Sequence, residues 1–177
     1  MKNRIFFLMI MLATVLVAIG QNTDVYETQY FSRMDMLAYN GDKMVFLYEK
    51  GNTKKPYPLD ENSRIEDTSQ LFLFLGELVQ KEFSDLNPVL MDALGKVTIS
   101  FCYDVNGTIP FYYITLAEDL YKSIPNLESG LYHIIASLRC HGVKGFELSF
   151  ADETRCGQVW IILRSAFRAV PNHKDHR

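Results

Sequence analysis

The chain has 177 residues, of which 48% are hydrophobic and 22% are charged, and its formal net charge is −3 at pH 7. This composition indicates a folded protein with enough chain for one compact domain and excludes a chain that is disordered as a whole. The acidic balance, with no basic stripe, argues against a nucleic-acid-binding protein or one that binds anionic membrane surfaces.

The first twenty residues have the pattern of a signal peptide. Lys2 and Arg4 form a short basic region, the run from Ile5 to Val17 is almost wholly apolar, and small residues precede Gln21. We predict cleavage between Gly20 and Gln21. The apolar run is too short to favour a permanent anchor, although an uncleaved anchor remains the alternative.

Export and domain organisation follow from this signal. We expect a periplasmic or extracellular protein without stable membrane insertion after cleavage. Residues 1–20 are then the signal peptide, 21–170 form a single α+β domain and 171–177 are a flexible tail.

The N-terminal third of the mature chain gives weaker patterns. Tyr26 to Phe31 is a possible strand, and Asp42 to Glu49 is a better one, with apolar residues on both faces. Residues 59–67 are polar and predict a connector.

Two helices are expected to pack on the sheet. The first begins at Thr68 or Ser69, either of which can cap it, and carries an apolar stripe from Leu71 to Phe83. The second extends from Asn126 to Leu138 with leucine and isoleucine at helical spacing. The fold class predicted is therefore α+β, an antiparallel sheet with two packed helices.

The clearest pattern in the chain is a β-hairpin from Gly95 to Leu116. Apolar and polar residues alternate from Val97 to Val105, which is the period of a half-buried strand. Asn106 and Gly107 then predict a type I′ turn, because both residue types tolerate positive φ.

The returning strand of this hairpin carries the candidate binding residues Phe111, Tyr112 and Tyr113. One face of the strand should be core, so that Tyr112, or Tyr113 in the other register, is displayed. Pro110 lacks an N–H, which predicts that the strand lies near a sheet edge or at a bulge. Aromatic side chains displayed at an edge suit peptide capture by strand addition or stacking on a sugar ring. The alternative is that the tyrosines simply cap the core with their hydroxyls in water.

Two further strands are expected near the C-terminus. Phe146, Leu148 and Phe150 alternate on one face of the first. The second runs from Gln158 to Arg164, and its apolar residues on both faces predict a central position in the sheet.

Three cysteines, Cys102, Cys140 and Cys156, follow the predicted signal, and export would permit a disulfide. We favour a bond between Cys140 and Cys156, since both lie at the ends of predicted elements whereas Cys102 is in mid-strand. Three unpaired thiols are the alternative.

Motifs for catalysis, metal binding or phosphate binding are absent from the sequence. Cys140 and His141 are adjacent, but neighbouring side chains usually point apart, which makes a poor catalytic dyad. His173 and His176 fit a solvated tail better than a metal site. We therefore predict no catalytic residue, no metal and no cofactor.

The C-terminal half resembles the C-terminal domain of the TonB energy-transducer family. The resemblance rests on the strand after Gly95, the turn from Asp104 to Gly107, an apolar-striped helix, and the strand from Gly157 ending near Phe167. It covers about residues 95–167 and implies a small antiparallel sheet crossed by a helix, with an edge strand that pairs with a segment of another protein. The family's proline-rich spacer is missing.

As a whole the chain is similar to small exported proteins of unknown function from Bacteroidetes. The function predicted is a non-enzymatic cell-envelope module that binds a protein or peptide. The alternatives are a small secreted enzyme or a carrier of a ligand or carbohydrate, and self-association through an edge strand.

Overall fold

The structure is a computed structural model that describes residues 25–38, 41–51, 58–143 and 145–170. The predicted signal peptide, its cleavage site between Gly20 and Gln21, and the predicted tail lie outside these residues.

The described elements are, in chain order, strands β1 (Val25–Glu27), β2 (Phe31–Leu37), β3 (Lys43–Glu49) and β4 (Arg64–Ile65), helices α1 (Thr68–Glu82) and α2 (Pro88–Leu94), strands β5 (Thr98–Tyr103) and β6 (Phe111–Ala117), helices α3 (Glu118–Ser123) and α4 (Leu127–His141), strands β7 (Leu148–Ser149) and β8 (Gly157–Ile162), and helix α5 (Leu163–Ala169).

Within the described segments, six strands form one sheet in the order β1-β2-β3-β6-β5-β8, and every neighbouring pair is antiparallel. Strands β4 and β7 form a separate two-stranded pair. The predicted antiparallel α+β fold is confirmed, but the described helices number five where two were expected.

All five helices cover the same side of the sheet. Buried residues of each helix join the inward residues of β3, β5, β6 and β8 in one core cluster. Leu71, Leu75 and Val79 of α1 and Leu131 and Leu138 of α4 are fully buried there, as their helical spacing predicts.

Local side chains explain where the helices begin. The Asp67 carboxylate caps α1 by accepting the Ser69 N–H at 2.9 Å, so neither predicted hydroxyl is the cap. Asn87 caps the unpredicted helix α2 in the same way, and Pro88 occupies its first position, where no N–H is needed.

The predicted hairpin is present as β5 and β6, but its turn is not of type I′. Only Gly107 has a positive φ there, at 71°. The Asp104 carboxylate accepts the N–H groups of Asn106 (2.9 Å) and Thr108 (2.8 Å) and holds the turn from inside.

The positions of two strands differ from expectation. The strand after Pro110 lies in the interior of the sheet, between β3 and β5. This position is compatible with the proline, because Pro110 comes just before the strand and removes no ladder hydrogen bond. Strand β8, expected to be central, is an edge strand and pairs only with β5 in the described sheet. Its predicted last residues form the start of α5.

A buried carboxylate connects two loops beside this edge. Asp60 accepts the N–H groups of Ala151 (2.7 Å), Asp152 (3.0 Å) and Asn62 (3.0 Å). These hydrogen bonds, with that of the Asp152 N–H the largest cause, lower the pKa of Asp60. The segment before β4 is thereby fixed against the turn that leads into β8.

Candidate binding surface

One side of the six-stranded sheet carries none of the described helices, and we call it the open face. Alternate residues of each strand point to it, in the register set by the antiparallel pairs. They are Val25, Glu27, Ser32, Met34, Met36, Met44, Phe46, Tyr48, Thr98, Ser100, Cys102, Phe111, Tyr113, Thr115, Ala117, Gln158, Trp160 and Ile162.

The open face is apolar, aromatic and almost free of charge. Glu27 is the only charged residue in this set, and its carboxylate accepts the Ser32 hydroxyl at 2.6 Å. The face carries three methionines, which adapt their shape to irregular partners. Trp160 and Ile162 on β8 are 55% and 53% exposed, which is unusual for side chains of this size.

Four rings form an aromatic cluster on this face: Phe46, Phe111, Tyr113 and Trp160. Tyr113 is stacked on Phe46 with ring centroids 6.3 Å apart, and the Phe111 ring centroid lies 6.1 Å from that of Tyr113. The Trp160 indole N–H donates to the Tyr113 hydroxyl at 3.1 Å. Because β5 lies between the strands of Tyr113 and Trp160, this hydrogen bond crosses over a strand.

Ser100 is the β5 residue beneath that hydrogen bond. It is directly opposite Tyr113 on one side and Trp160 on the other. Ser100 is 1% exposed, and its hydroxyl has no hydrogen-bond partner among the described residues. Burying a hydroxyl without a hydrogen-bond partner lowers the free energy of unfolding. The packing of the two rings over Ser100 therefore carries an energetic penalty.

The predicted binding residues divide between the two sides of the sheet. Phe111 and Tyr113 are half-buried on the open face, as a displayed aromatic would be. Tyr112 is 3% exposed and belongs to the core, so its display as a binding residue is wrong and the strand has the other register, in which Tyr113 is displayed. Burial above all, with Glu49 nearby, raises the pKa of Tyr112 to about 12.

The outer edge of β8 carries backbone groups that point away from its neighbour β5. The Leu163 N–H donates at 3.0 Å to the carbonyl oxygen of Val97, the residue just before β5. Along an antiparallel strand, successive residues direct their backbone groups alternately towards and away from the neighbouring strand. The N–H and C=O groups of Gln158, Trp160 and Ile162 therefore point away from β5. In the described part of the chain, no strand pairs with them.

The start of β8 is covered, by contrast. The Cys156 N–H donates to Pro58 O, and the Asp60 N–H donates to Cys156 O, both at 2.9 Å. The edge that is open to another strand thus begins at Gln158.

All three cysteines lie in described segments and are free thiols. The predicted bond between Cys140 and Cys156 is absent. Cys140 is an exposed residue of helix α4, whereas Cys156 is buried in extended chain next to the sheet. The two residues belong to different layers of the fold.

A concave site lies on the helical side of the sheet. It is a half-open cleft of about 300 Å³ between the end of α1 and the start of α4. Its polar groups include Glu82 and His133, whose Oε2 and Nδ1 atoms are 2.9 Å apart. The His133 side chain is 53% exposed, so this pair is solvated. In the described segments, no three His, Cys, Asp or Glu side chains are grouped to hold a metal ion.

Sequence reasoning missed most of the open face. Met44, Phe46 and Tyr48 were recognisable as one face of a strand, but nothing local indicates that this face carries none of the described helices. Trp160 and Ile162 were assigned to a central strand because a strand with two apolar faces usually has both covered.

Comparisons with known proteins give little beyond this geometry. No protein-family model and no curated protein matches the chain. Among solved structures, a DUF5043 family protein from Bacteroides uniformis is similar over 81% of this chain and 85% of that chain, with 16% sequence identity and a TM-score of 0.44.

None of the described helices has the length and apolar character needed to span a membrane.

Proposed function

We propose that the mature chain is an exported, non-enzymatic cell-envelope protein that binds a partner protein through the open face, with an extended segment of that partner added to β8. The observation that carries this proposal is the outer edge of β8, with which no described strand pairs and where Trp160 and Ile162 are more than half exposed. Strand addition uses backbone groups for affinity and neighbouring side chains for specificity.

The chemistry of the open face favours a protein over a sugar as the partner. Cores of protein interfaces are depleted in charge and enriched in aromatic residues and methionine, which describes this surface. Sugar-binding sites need several converging polar groups beside the ring on which the sugar stacks. Here the single carboxylate, Glu27, is engaged by Ser32.

The size of the face supports the same proposal. Six strands about 4.8 Å apart and roughly 20 Å long span about 500 Å² in projection. Standard interfaces bury about 800 Å² on each partner, counted as accessible surface, which exceeds the projected area of the side chains that provide it. The open face and the β8 edge together are large enough for one such partner.

The resemblance of the C-terminal half to the TonB C-terminal domain belongs to this proposal as well. Strands β6, β5 and β8 with helix α4 follow the order of elements on which that resemblance rests. In the proposed complex, β8 acts as the edge strand.

The test is cross-linking of the mature chain, Gln21 to Arg177, in envelope extract from its host, followed by affinity measurement with the partner recovered. Trp160→Ala should weaken binding by about 30-fold or more, the usual effect of removing an aromatic hot spot. Ile162→Lys should weaken it comparably, because it adds a charge to an apolar contact. The matched control is Val89→Lys, which alters a residue of α2 that is 77% exposed on the other side of the molecule.

A backbone variant tests strand addition separately from side-chain contact. Gln158→Pro removes an N–H that points outward, so the ladder between β5 and β8 keeps all its hydrogen bonds and the fold should survive. Val159→Pro removes an inward N–H and should destabilise the sheet. If folded Gln158→Pro protein still bound the partner with wild-type affinity, strand addition would be rejected.

Two other occupants are outcomes of the same experiment. If light scattering showed a molar mass that rises with concentration in the wild type but not in Ile162→Lys, the occupant of the open face would be a second copy of this chain. If the wild type were retained on an insoluble polysaccharide and Trp160→Ala were not, the occupant would be a carbohydrate. Binding that is unchanged in all open-face variants would reject the open face as the site.

A small secreted enzyme or ligand carrier is the second candidate function. The cleft that contains Glu82 and His133 favours it, although about 300 Å³ is the lower limit for sites of small molecules. Thermal-shift screening of His133→Ala beside wild type tests this candidate, since a ligand of the cleft should stabilise only the wild type.

A further inference from the structure

Two buried thiols, those of Cys102 and Cys156, lie on the same side of neighbouring strands. Cys102 of β5 is directly opposite Gln158 of β8, and Cys156 comes two residues before Gln158. The hydrogen bonds of Cys156 with Pro58 and Asp60 show that the chain is extended there and continues the alternation of β8. The Cys156 side chain therefore shares the open face with Cys102.

This arrangement makes them diagonal neighbours across the β5–β8 pair. Diagonal neighbours have Cα atoms about 7–8 Å apart and Cβ atoms closer than that. A disulfide needs a Cα separation of about 4.4–6.8 Å, so an approach of roughly 1 Å is sufficient. Cys156 lies before the first residue of β8, in an isolated bridge to Leu59 and outside the β5–β8 ladder, so an approach of this size would shift that bridge and not the ladder of the sheet.

The electrostatics of the two groups agree with this geometry. Burial above all raises the pKa of Cys102 to about 11, and charge on Cys156 adds to the rise. Cys140 is exposed on helix α4 and has no part in this pair.

We propose that Cys102 and Cys156 form a disulfide in the exported protein and that Cys140 remains a free thiol. The oxidant is a disulfide of low molecular weight or of a thiol–disulfide oxidoreductase. The thiolate of one cysteine attacks a sulfur of that disulfide and releases a thiolate, giving a mixed disulfide. The second cysteine, after losing its proton, attacks the mixed disulfide and releases the other thiolate, so two thiols are oxidised and one disulfide is reduced to two thiols.

This proposal rests on the proposed export only for the compartment in which the bond forms, and pairing is tested without export. The purified mature chain is equilibrated with oxidised and reduced glutathione, its free thiols are alkylated, and the products are analysed by intact mass and by peptide mapping without reduction. We expect one alkylated thiol in the wild type, a peptide that links Cys102 to Cys156, and no alkylated thiol in Cys140→Ser.

Cys102→Ala and Cys156→Ala should each leave two alkylated thiols. If either variant fails to fold, the peptide map of the wild type still decides the pairing. A bond that includes Cys140, or alkylation of all three thiols in protein that is folded by circular dichroism, would overturn the inference. Alkylation in intact cells then tests the compartment. If the Cys102–Cys156 bond forms in the glutathione buffer but both thiols stay reduced in cells, the proposed export is rejected and the pairing is not.

Discussion

Tyr112 and Tyr113 are consecutive residues, but they should respond oppositely to truncation because they point to opposite sides of β6. Tyr112 is 3% exposed in the core, so Tyr112→Ala should lower the free energy of unfolding by about 3–5 kcal/mol, the usual cost of truncating a buried aromatic. For a domain of this size, that corresponds to a fall in Tm of about 6–20 °C. Tyr113 is half-buried on the open face, and Tyr113→Ala should cost only about 1–2 kcal/mol.

Partner binding should follow the reverse order. Tyr113→Ala removes the acceptor of the Trp160 N–H and the ring that lies beside Phe46, so it should weaken binding strongly. Tyr112→Ala protein, measured well below its Tm, should bind almost normally. Urea unfolding followed by far-ultraviolet circular dichroism gives the stabilities, with an unchanged m value as the control for two-state behaviour. An equal or larger loss of stability in Tyr113→Ala would refute the assignment of the two sides of β6.

Three further predictions concern the supports of the sheet. Gly130→Ala should destabilise the protein by about 1–3 kcal/mol in urea unfolding, because its Cβ would lie 2.4 Å from the Phe83 ring; unchanged stability would show that the ring can move at little cost. Asp60 has a lowered pKa, with the Asp152 N–H as the largest cause, so its contribution to stability is complete above the ordinary pKa of an aspartate and is lost as pH falls through the folded-state value. Asp60→Asn should therefore be less stable than the wild type at pH 7, and the difference should shrink with acidification from about pH 4 downwards; a difference independent of pH would contradict this. Asp104→Ala removes the acceptor of two N–H groups in the hairpin turn and should cost about 1 kcal/mol in Tm-derived stability, with Val105→Ala, exposed in the same turn, as the control.

The sequence predicted the elements that depend on local pattern. The hairpin, the strand ending at Glu49 and the helices beginning near Thr68 and Asn126 all have clear periodicity, and the structure contains each of them. Short helices were missed: α2 has only seven residues and α5 begins where an apolar run suggested more strand. A run of seven residues is too short for helical and extended periodicities to be separated.

The order of strands could not be predicted, and this is why the candidate site was only partly correct. Pro110 was taken as evidence of an edge, and the two apolar faces of β8 as evidence of a central position, but the reverse is found. The first prediction overlooked that a proline just before a strand removes no ladder hydrogen bond, and the second assumed that both apolar faces of a strand are covered. No helix among the described segments covers the open face, and a single sequence does not indicate which layers are present.

The cysteine pairing shows the same limit. Cys140 and Cys156 both lie at the ends of predicted elements, which favoured their pairing over one with Cys102 in mid-strand. Long-range strand register instead brings Cys156 towards Cys102, and register between distant segments depends on the whole fold.

The position of Trp160 has a practical consequence for following ligand binding. The chain has one tryptophan, and it lies on the open face with more than half of its surface in water. Its fluorescence therefore reports on this surface alone, without background from other indoles. A partner that covers β8 should shift the emission to shorter wavelength, and a ligand of the cleft beside His133, on the opposite side of the sheet, should leave the spectrum unchanged. The native chain is thus its own unlabelled sensor of which side is occupied.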